Sequence, residues 1–425
     1  MDITELRELL ETARAARADT EHQKALDHFD TLLVETRGAP LPDAVKEIRL
    51  VAMRERSRLL DRLGRRDEAL TGLEQYYLEA GSTQHAVEAL QRIGEIQSEL
   101  GQQRKALEAF DEALALAEAF NYTEGRAKAL LGRGFTLHRL GQSEEALADL
   151  KKARALSRQV DDLLGIRRAI NRLGIVYVQT GQVDKAINAF QETLALAREV
   201  GNTREIAINL SNLGECYQQL FNMKAALPYH EEALKLAEST KLRSLEDDMA
   251  RNLGFELFSL GRVEEGIEYL QRALRISEET QHPDIRLQSL YSLALAEIDR
   301  GNAAQARHYA EELKESAAAY NFRVYQAEAL HALGLIEQLE GDTVKAEQRW
   351  QEAVFLAHET GRQFLLWQLH AALAEIAPNE GLARVHYQIA SDIIHQIAYP
   401  IEDEEIRESF LRAEPVKAIQ EHLAA

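Results

Sequence analysis

Leu173–Ala186 reads LGIVYVQTGQVDKA, Leu213–Ala226 reads LGECYQQLFNMKAA, and Leu253–Gly266 reads LGFELFSLGRVEEG. The three segments start 40 residues apart, and each carries the same punctuation. A glycine opens the segment, a turn signal follows seven residues later, and a small residue stands five beyond that. The first register runs outward through Gly94, Gly134, Gly174, Gly214 and Gly254, takes alanine at Ala294, returns to Gly334 and ends on Ala374. The second is Gly101, Gly141, Gly181, Gly261, Gly301 and Gly341. The third is Ala106, Ala146, Ala186, Ala226, Gly266, Ala306 and Ala346. Three registers with one period mark an array of like units, each too small to bury its own apolar surface.

Each register has a physical reason. The first lies inside a helix, A, with an apolar neighbour before it in Leu173, Leu213, Leu253, Leu293, Leu333 and Leu373. A glycine inside a helix costs about 1 kcal/mol against alanine, so it is expected only where a second helix must come close. The second register follows the last turn of helix A, where a left-handed residue ends the helix. The third, in helix B, is the facing contact. Apolar residues continue at helical spacing, as in Phe110, Ala113 and Leu116 or Leu270, Ala273 and Ile276.

The pattern weakens at both ends. Leu60, Gly64 and Ala69 repeat the turn out of period, and Ala25, Leu26 and Phe29 echo Ala106, Leu107 and Phe110. The expected organisation is a degenerate N-terminal hairpin over 1–40, a solenoid over 41–400 and capping helices over 401–425. The last full hairpin would run from Phe364 to Ile376 and from Ala383 to Ile397, with Pro378 in its turn. Two local departures stand out. Phe221-Asn222 occupies the place of the turn glycine, which predicts a turn shifted by one residue onto the asparagine. Pro228 falls early in the next helix, where it predicts a position in the first turns or a mild kink.

Composition agrees with an all-α chain. The 425 residues include seven prolines, 6% are aromatic and 45% are hydrophobic. The formal net charge of −20 argues against nucleic acid, which requires clustered cations, and against an anionic membrane surface. Cys216 is the one cysteine, so neither an internal disulfide nor a thiolate metal cage can form. Met1-Asp2-Ile3-Thr4-Glu5 has no basic start or apolar run of the kind that leads a secreted protein, and no apolar stretch approaches a membrane span. A cytoplasmic location is expected.

These registers resemble the tetratricopeptide repeat. The small residue within helix A, the glycine turn, the alanine at the helix crossing and the aromatic or leucine one turn on all match, over nearly the whole chain. The 40-residue unit is similar to the subclass in kinesin light chains and in bacterial regulators of the MalT and Rap type. The tail Ile401-Glu402-Asp403-Glu404-Glu405-Ile406-Arg407-Glu408-Ser409-Phe410-Leu411 loosely resembles segments that close such arrays in large bacterial signalling proteins. The resemblance implies a right-handed superhelix of about ten antiparallel hairpins, a concave wall lined by helix A, and a partner held in that groove. It implies a non-enzymatic scaffold or adaptor. The alternative is a ligand-sensing regulatory module acting on a separate signalling or transcription partner.

If that register holds, the concave positions lie at −6, −3, −2, +1, +4 and +5 from the helix-A glycine. They bring Arg92, Lys128, Arg139, Arg168 and Arg172 to the groove as cations, with Arg251 further along. They bring Phe135, Phe255, Phe258 and Tyr291, with Leu295, Ile298, Leu335 and Leu339, as an apolar strip. Asn171, Asn212 and Asn252 would bond a partner's backbone. The expected partner is a protein or peptide with acidic residues and apolar anchors. Two alternatives stay open. The apolar side chains could pack on the helices of adjacent units, and the arginines could pair with the chain's own Glu88, Glu95 or Glu215. Self-association through imperfectly capped ends is a further expectation.

The sequence offers no catalytic constellation. Leu131-Gly132-Arg133-Gly134-Phe135 has two close glycines but no phosphate-loop lysine after them. Tyr229-His230-Glu231-Glu232 lacks the His-x-x-x-His spacing of a metal helix and reads as a solvated helix face. His308, His331, His370 and His386 come from successive hairpins and read as packing or surface residues. Cys216 reads as a buried small hydrophobe with no base to activate it. No enzyme activity, cofactor or metal is expected.

Overall fold

In the computed structural model, which describes residues 1–38 and 40–424, helices follow one another as hairpins joined by two- to seven-residue turns. Among the described residues there are 22 helices and no strand. The first hairpin is α1 (Ile3–Ala18) with α2 (His22–Glu35), and the second α3 (Asp43–Arg62) with α4 (Arg66–Ala80). Then follow α5 (Gln84–Glu99) and α6 (Gln103–Ala119), α7 (Thr123–Arg139) and α8 (Ser143–Gln159), α9 (Leu163–Gln179) and α10 (Val183–Glu199), α11 (Thr203–Gln219) and α12 (Met223–Ser239). The series continues with α13 (Arg243–Ser259) and α14 (Val263–Thr280), α15 (Pro283–Asp299) and α16 (Ala303–Ala319), α17 (Arg323–Leu339) and α18 (Thr343–Glu359), α19 (Gln363–Glu375) and α20 (Glu380–Ala398). Two shorter helices, α21 (Glu404–Leu411) and α22 (Glu414–Ala424), end the chain. Ala39 and Ala425, which belong to the expected first and last segments, lie outside the described residues.

The chain divides into two compact units, Met1–Val176 and Tyr177–Ala425, with the division inside α9. In the first unit Leu6, Phe29, Leu60, Leu73 and Tyr76 build one core, and Val87, Leu90, Ala113 and Ala129 build another. In the second, Leu270, Leu290, Leu313 and Leu333 form one core, and Trp350, Leu369 and Leu373 form the next.

The helix-A glycines do what the period implies. A Cβ added to Gly94 would lie 2.8–3.0 Å from three ring atoms of Phe110. One on Gly134 would lie 2.9 Å from Leu150, and one on Gly254 would lie 2.8 Å from Leu270. The partner is the residue sixteen further on in each case. Where helix A carries alanine instead, at Ala294 and Ala374, the residue sixteen on is Ala310 or Ala390, and all but Ala374 are fully buried. Volume is thus traded across the hairpin, glycine against a large side chain and alanine against alanine, as close packing requires. A fully buried ring such as Phe110 contributes roughly 2–3 kcal/mol.

The turns repeat as strictly as the helices. Gly101, Gly141, Gly181, Gly261, Gly301 and Gly341 all have positive φ. The turn at Phe221 does not shift: Phe221 itself takes the left-handed conformation (φ 55°), and Asn222 instead caps α12, its side chain accepting from the Ala225 amide. A second left-handed series joins helix B to the next helix A, through Asn121, Asp161, Gly201, Lys241, Gln281, Asn321 and Gly361. Pro228 sits inside α12, which runs unbroken past it.

Candidate partner-binding surface

Within the first unit, the expected groove positions fall into two groups. Arg92 is already matched, with its guanidinium on Asp61 and Glu95. Lys128 is exposed and paired with Glu124 of its own helix. Arg139 donates to the Ser98 carbonyl (2.6 Å), linking α7 to α5. Arg172 differs from all three. Its Nη1 donates to the Leu131 carbonyl (2.7 Å), and its guanidinium carbon sits 4.6 Å from the centre of the Phe135 ring. No carboxylate pairs with it among the described residues. Burial pulls its pKa down to about 10; Glu95 opposes that and Arg168, exposed one turn earlier, reinforces it. Near Phe135, the His138 ring lies 6.0 Å away with Nδ1 unpaired, and burial, with Arg139, lowers its pKa. A desolvated cation against an aromatic face, with a second cation near and no anion of its own, carries a cost that an approaching anion would offset. Asn171 is half-buried and carries contacts of its own.

The second unit answers the sequence differently. Asn252, expected to bond a partner's backbone, is fully buried. Its amide donates to Glu215 (3.2 Å) and reaches Ser211 (3.4 Å), and its carbonyl accepts from Arg251 (2.6 Å). Arg251 also holds Asp248 (3.1 Å). In this conformation neither is offered to a partner, because both complete a polar ladder between α11 and α13. The Tyr291 hydroxyl and His331 Nδ1 are hydrogen-bonded (2.7 Å), an α15–α17 rung. Phe255 and Phe258 pack edge to face (5.1 Å), and Phe258, Tyr291 and Ile298 lean on the unit's core. Of the apolar strip, Leu339 alone is an exposed large hydrophobic. Asn212 is half-buried.

Several polar groups of this interior gave no sequence signal beyond standing in an apolar register. Glu215 and Glu328 are pushed above the usual carboxylate range by burial, although Arg251 pulls against it at both. His331 is pushed down to about 4 by burial, which keeps its ring neutral beside the Tyr291 hydroxyl. His230 does not belong to a solvated face as its sequence context suggests: it is fully buried and takes the ring position over Gly214. Its Nε2 donates to the Ser211 carbonyl (3.0 Å) and Nδ1 meets Glu256 (2.7 Å). Cys216 is buried in α11 and its thiol is pushed far up by burial. No cluster of three or more metal-ligating side chains occurs among the described residues, and no described helix is long and apolar enough to cross a membrane.

Comparison with known proteins bears on the repeat. Tetratricopeptide-repeat models match residues 87–120, 125–199, 166–239 and 248–280. A model of anaphase-promoting complex subunit 5 matches 302–379. No curated protein matches the chain by sequence. Among solved structures, the chain resembles a Signal Transduction ATPase with Numerous Domains protein with a tetratricopeptide repeat sensor from Pyrococcus horikoshii. The TM-score is 0.59 at 16% identity, over 82% of this chain and 55% of that one. The chain therefore spans about half the length of that protein. It also resembles the apo form of RapI (TM-score 0.56, 16% identity, 64% of this chain, 99% of that). A third likeness is to the apo form of the quorum sensor NprR from B. thuringiensis (0.50, 15%, 92% and 99%). At such identities these likenesses speak to fold alone. Repeat models are spread from 87 to 280 and the same hairpin continues on either side of them, so the chain carries tetratricopeptide repeats.

Proposed function

We propose that the protein is a non-enzymatic scaffold that binds an acidic protein segment on the helix-A face of its first unit, with Arg172 taking a carboxylate or other anionic group and Phe135 packing against the flanking apolar side chain. The supporting observation is Arg172 itself, a strongly desolvated guanidinium with one carbonyl acceptor and no carboxylate. Removing a guanidinium from water without an anion is costly, and an incoming carboxylate recovers that cost as a charge-assisted pair. Arg168 adds attraction at longer range, and Arg139, held among the described residues only by a carbonyl, extends the cationic edge, whereas Lys128 is already paired with Glu124. A cytoplasmic location and a bacterial setting go with this reading. So does the absence of catalysis.

Affinity capture from the native cell with the full chain, wild type against Arg168→Glu/Arg172→Glu, tests the proposal. Partners retained by the wild type should be lost by the variant, with helical content unchanged. Undiminished capture removes the cationic seat. A second reading, a regulatory module that changes shape on binding a small ligand, draws support from the sensor and quorum-sensor relatives in fold. Small-angle scattering with and without short acidic peptides separates the two: a fixed profile during saturable binding counts against the regulator.

A further inference from the structure

Phe221 stands where the sister turns carry glycine, and its side chain accounts for the exception. The ring stacks on Phe410 of α21 (6.2 Å, 19°), meets Trp367 of α19 edge-on (5.8 Å) and lies 6.5 Å from Phe364. One repeat earlier, the α9–α10 turn receives the chain leaving α20. Pro400 lies over Gly181, where an added Cβ would be 3.3 Å from its ring, and Lys185 pairs with Glu402 (2.7 Å). Asp184 Oδ2 accepts the amides of Glu402 (3.2 Å) and Asp403 (3.1 Å). Residues 400–411 thus run across two consecutive turns of the second unit that precede them by 219 positions (Gly181 to Pro400) and 189 positions (Phe221 to Phe410).

The fit is incomplete. Asp184 is 5% exposed, yet its Oδ1 has no partner; Trp367 is 3% exposed, yet its indole N–H finds no acceptor. Native proteins pair nearly all such buried groups. Between Ile401 and Leu411 only Ile401 and Phe410 are buried. Beside Phe410 an open cleft of about 520 Å3 remains, lined by Leu220, Phe221, Asn222, Glu405, Glu408 and Arg412 among others. An eight-residue helix has little stability of its own and depends on what it docks against.

We propose that the surface made by Asp184, Phe221, Phe364 and Trp367 is a docking site for a phenylalanine-bearing helical segment with an extended acidic leader, and that residues 400–411 occupy it in cis as a displaceable substitute. The incoming segment belongs to a partner protein. Its leader amides bond Asp184, its acidic side chain pairs with Lys185, its phenylalanine replaces Phe410, and a carbonyl or hydroxyl satisfies the Trp367 indole. Phe221 is present because a glycine turn would leave the aromatic pocket without a floor. The site is separate from the cationic face of the first unit and does not depend on it.

Two measurements on the full chain test this. Amide exchange should show residues 401–411 opening as a unit of their own, before α19 and α20, and Asp184→Ala should speed that opening at least tenfold while leaving 363–398 unchanged. A labelled peptide of residues 399–413 should bind saturably to the full chain carrying Phe410→Ala. It should bind at least tenfold more weakly to the wild type, whose own tail competes, and not at all when the peptide itself carries Phe410→Ala. Exchange of 363–411 as one cooperative block overturns the proposal, as does a folded Phe410→Ala chain that ignores the peptide. Should Phe410→Ala unfold, Lys185→Glu serves as the second variant. If that too collapses the helical signal, the tail is a fixed structural cap and the proposal fails.

Discussion

Replacing Gly94 by alanine separates two opposing effects cleanly. On helix propensity alone, alanine inside α5 should stabilise the chain by about 1 kcal/mol. The packing says otherwise. The new Cβ would fall 2.8, 2.9 and 3.0 Å from three atoms of the Phe110 ring, and ordinary contact begins at 3.4 Å. The ring would have to recede by about 0.6 Å. It cannot do so freely, because the same tip of the ring, Cζ and Cε1, already lies against Gly132 in the next hairpin, where a Cβ would also collide with it. Overpacking of this kind costs about 1–3 kcal/mol, and a ring held on both sides belongs at the upper end. The expected net result is a loss of about 1–2 kcal/mol. Phe110→Ala alone should cost about 3–5 kcal/mol. The double variant reproduces the alanine–alanine pairing found at Ala294 and Ala310, so the two losses should fall short of additivity by at least about 1 kcal/mol. Urea unfolding followed by circular dichroism measures all four corners of the cycle. A Gly94→Ala chain as stable as the wild type, or strictly additive losses, would refute the packing account of the period.

Cys216 should resist thiol reagents in the native protein and react only as α11 opens, so its labelling rate should track unfolding; fast labelling under native conditions would contradict its burial. His331 has a folded pKa near 4, below the ordinary 6.5, so the unfolded chain takes up the proton first. The stability it contributes is complete above pH 6.5 and is lost as pH falls towards 4, by up to roughly 3 kcal/mol. His370, also lowered to about 4, adds in the same window, while Glu328 and Glu215, raised by burial, act in the opposite sense. His331→Gln should therefore flatten the acid limb of a stability-against-pH curve, and an unchanged limb would remove His331 as a cause. His230→Leu, which copies the Gly254–Leu270 pairing, should cost about 1–3 kcal/mol by leaving Glu256 buried without its partner. His230→Leu with Glu256→Leu should recover most of that in the same urea assay.

Much of the fold was legible because one requirement recurs in every unit. The helix-A glycine, the turn glycine and the helix-B alanine are each demanded by a backbone approach or a backbone angle, so few substitutes are tolerated. The second series of left-handed turns went unread for the opposite reason. Asn121, Asp161, Lys241 and Gln281 all adopt positive φ there, and such varied residues leave no compositional mark. The sixteen-residue volume trade was open to inspection, since it needs only the pairing of Gly94 with Phe110 and of Ala294 with Ala310. Phe221 was noticed as an exception and misjudged, because the cause lies some 190 residues away in Phe410.

The candidate site shows where a repeat register stops being informative. Arg172 and Asn252 occupy the same kind of helix-A position, two units apart, and nothing in either local sequence separates them. Arg172 meets a carbonyl and an aromatic face, so its charge stays uncompensated; Asn252 meets Glu215, Ser211 and Arg251, so every polar atom it has is engaged. What decides between an available side chain and an internal rung is the residue about forty positions earlier. At Arg172 that neighbour is Leu131, which has only a backbone carbonyl to give. At Asn252 it is Ser211, with Glu215 one turn on. In a repeat protein, then, a binding surface is read by comparing each helix-A residue with its predecessor one period back. An unmatched charge in that comparison carries more functional weight than any residue taken alone.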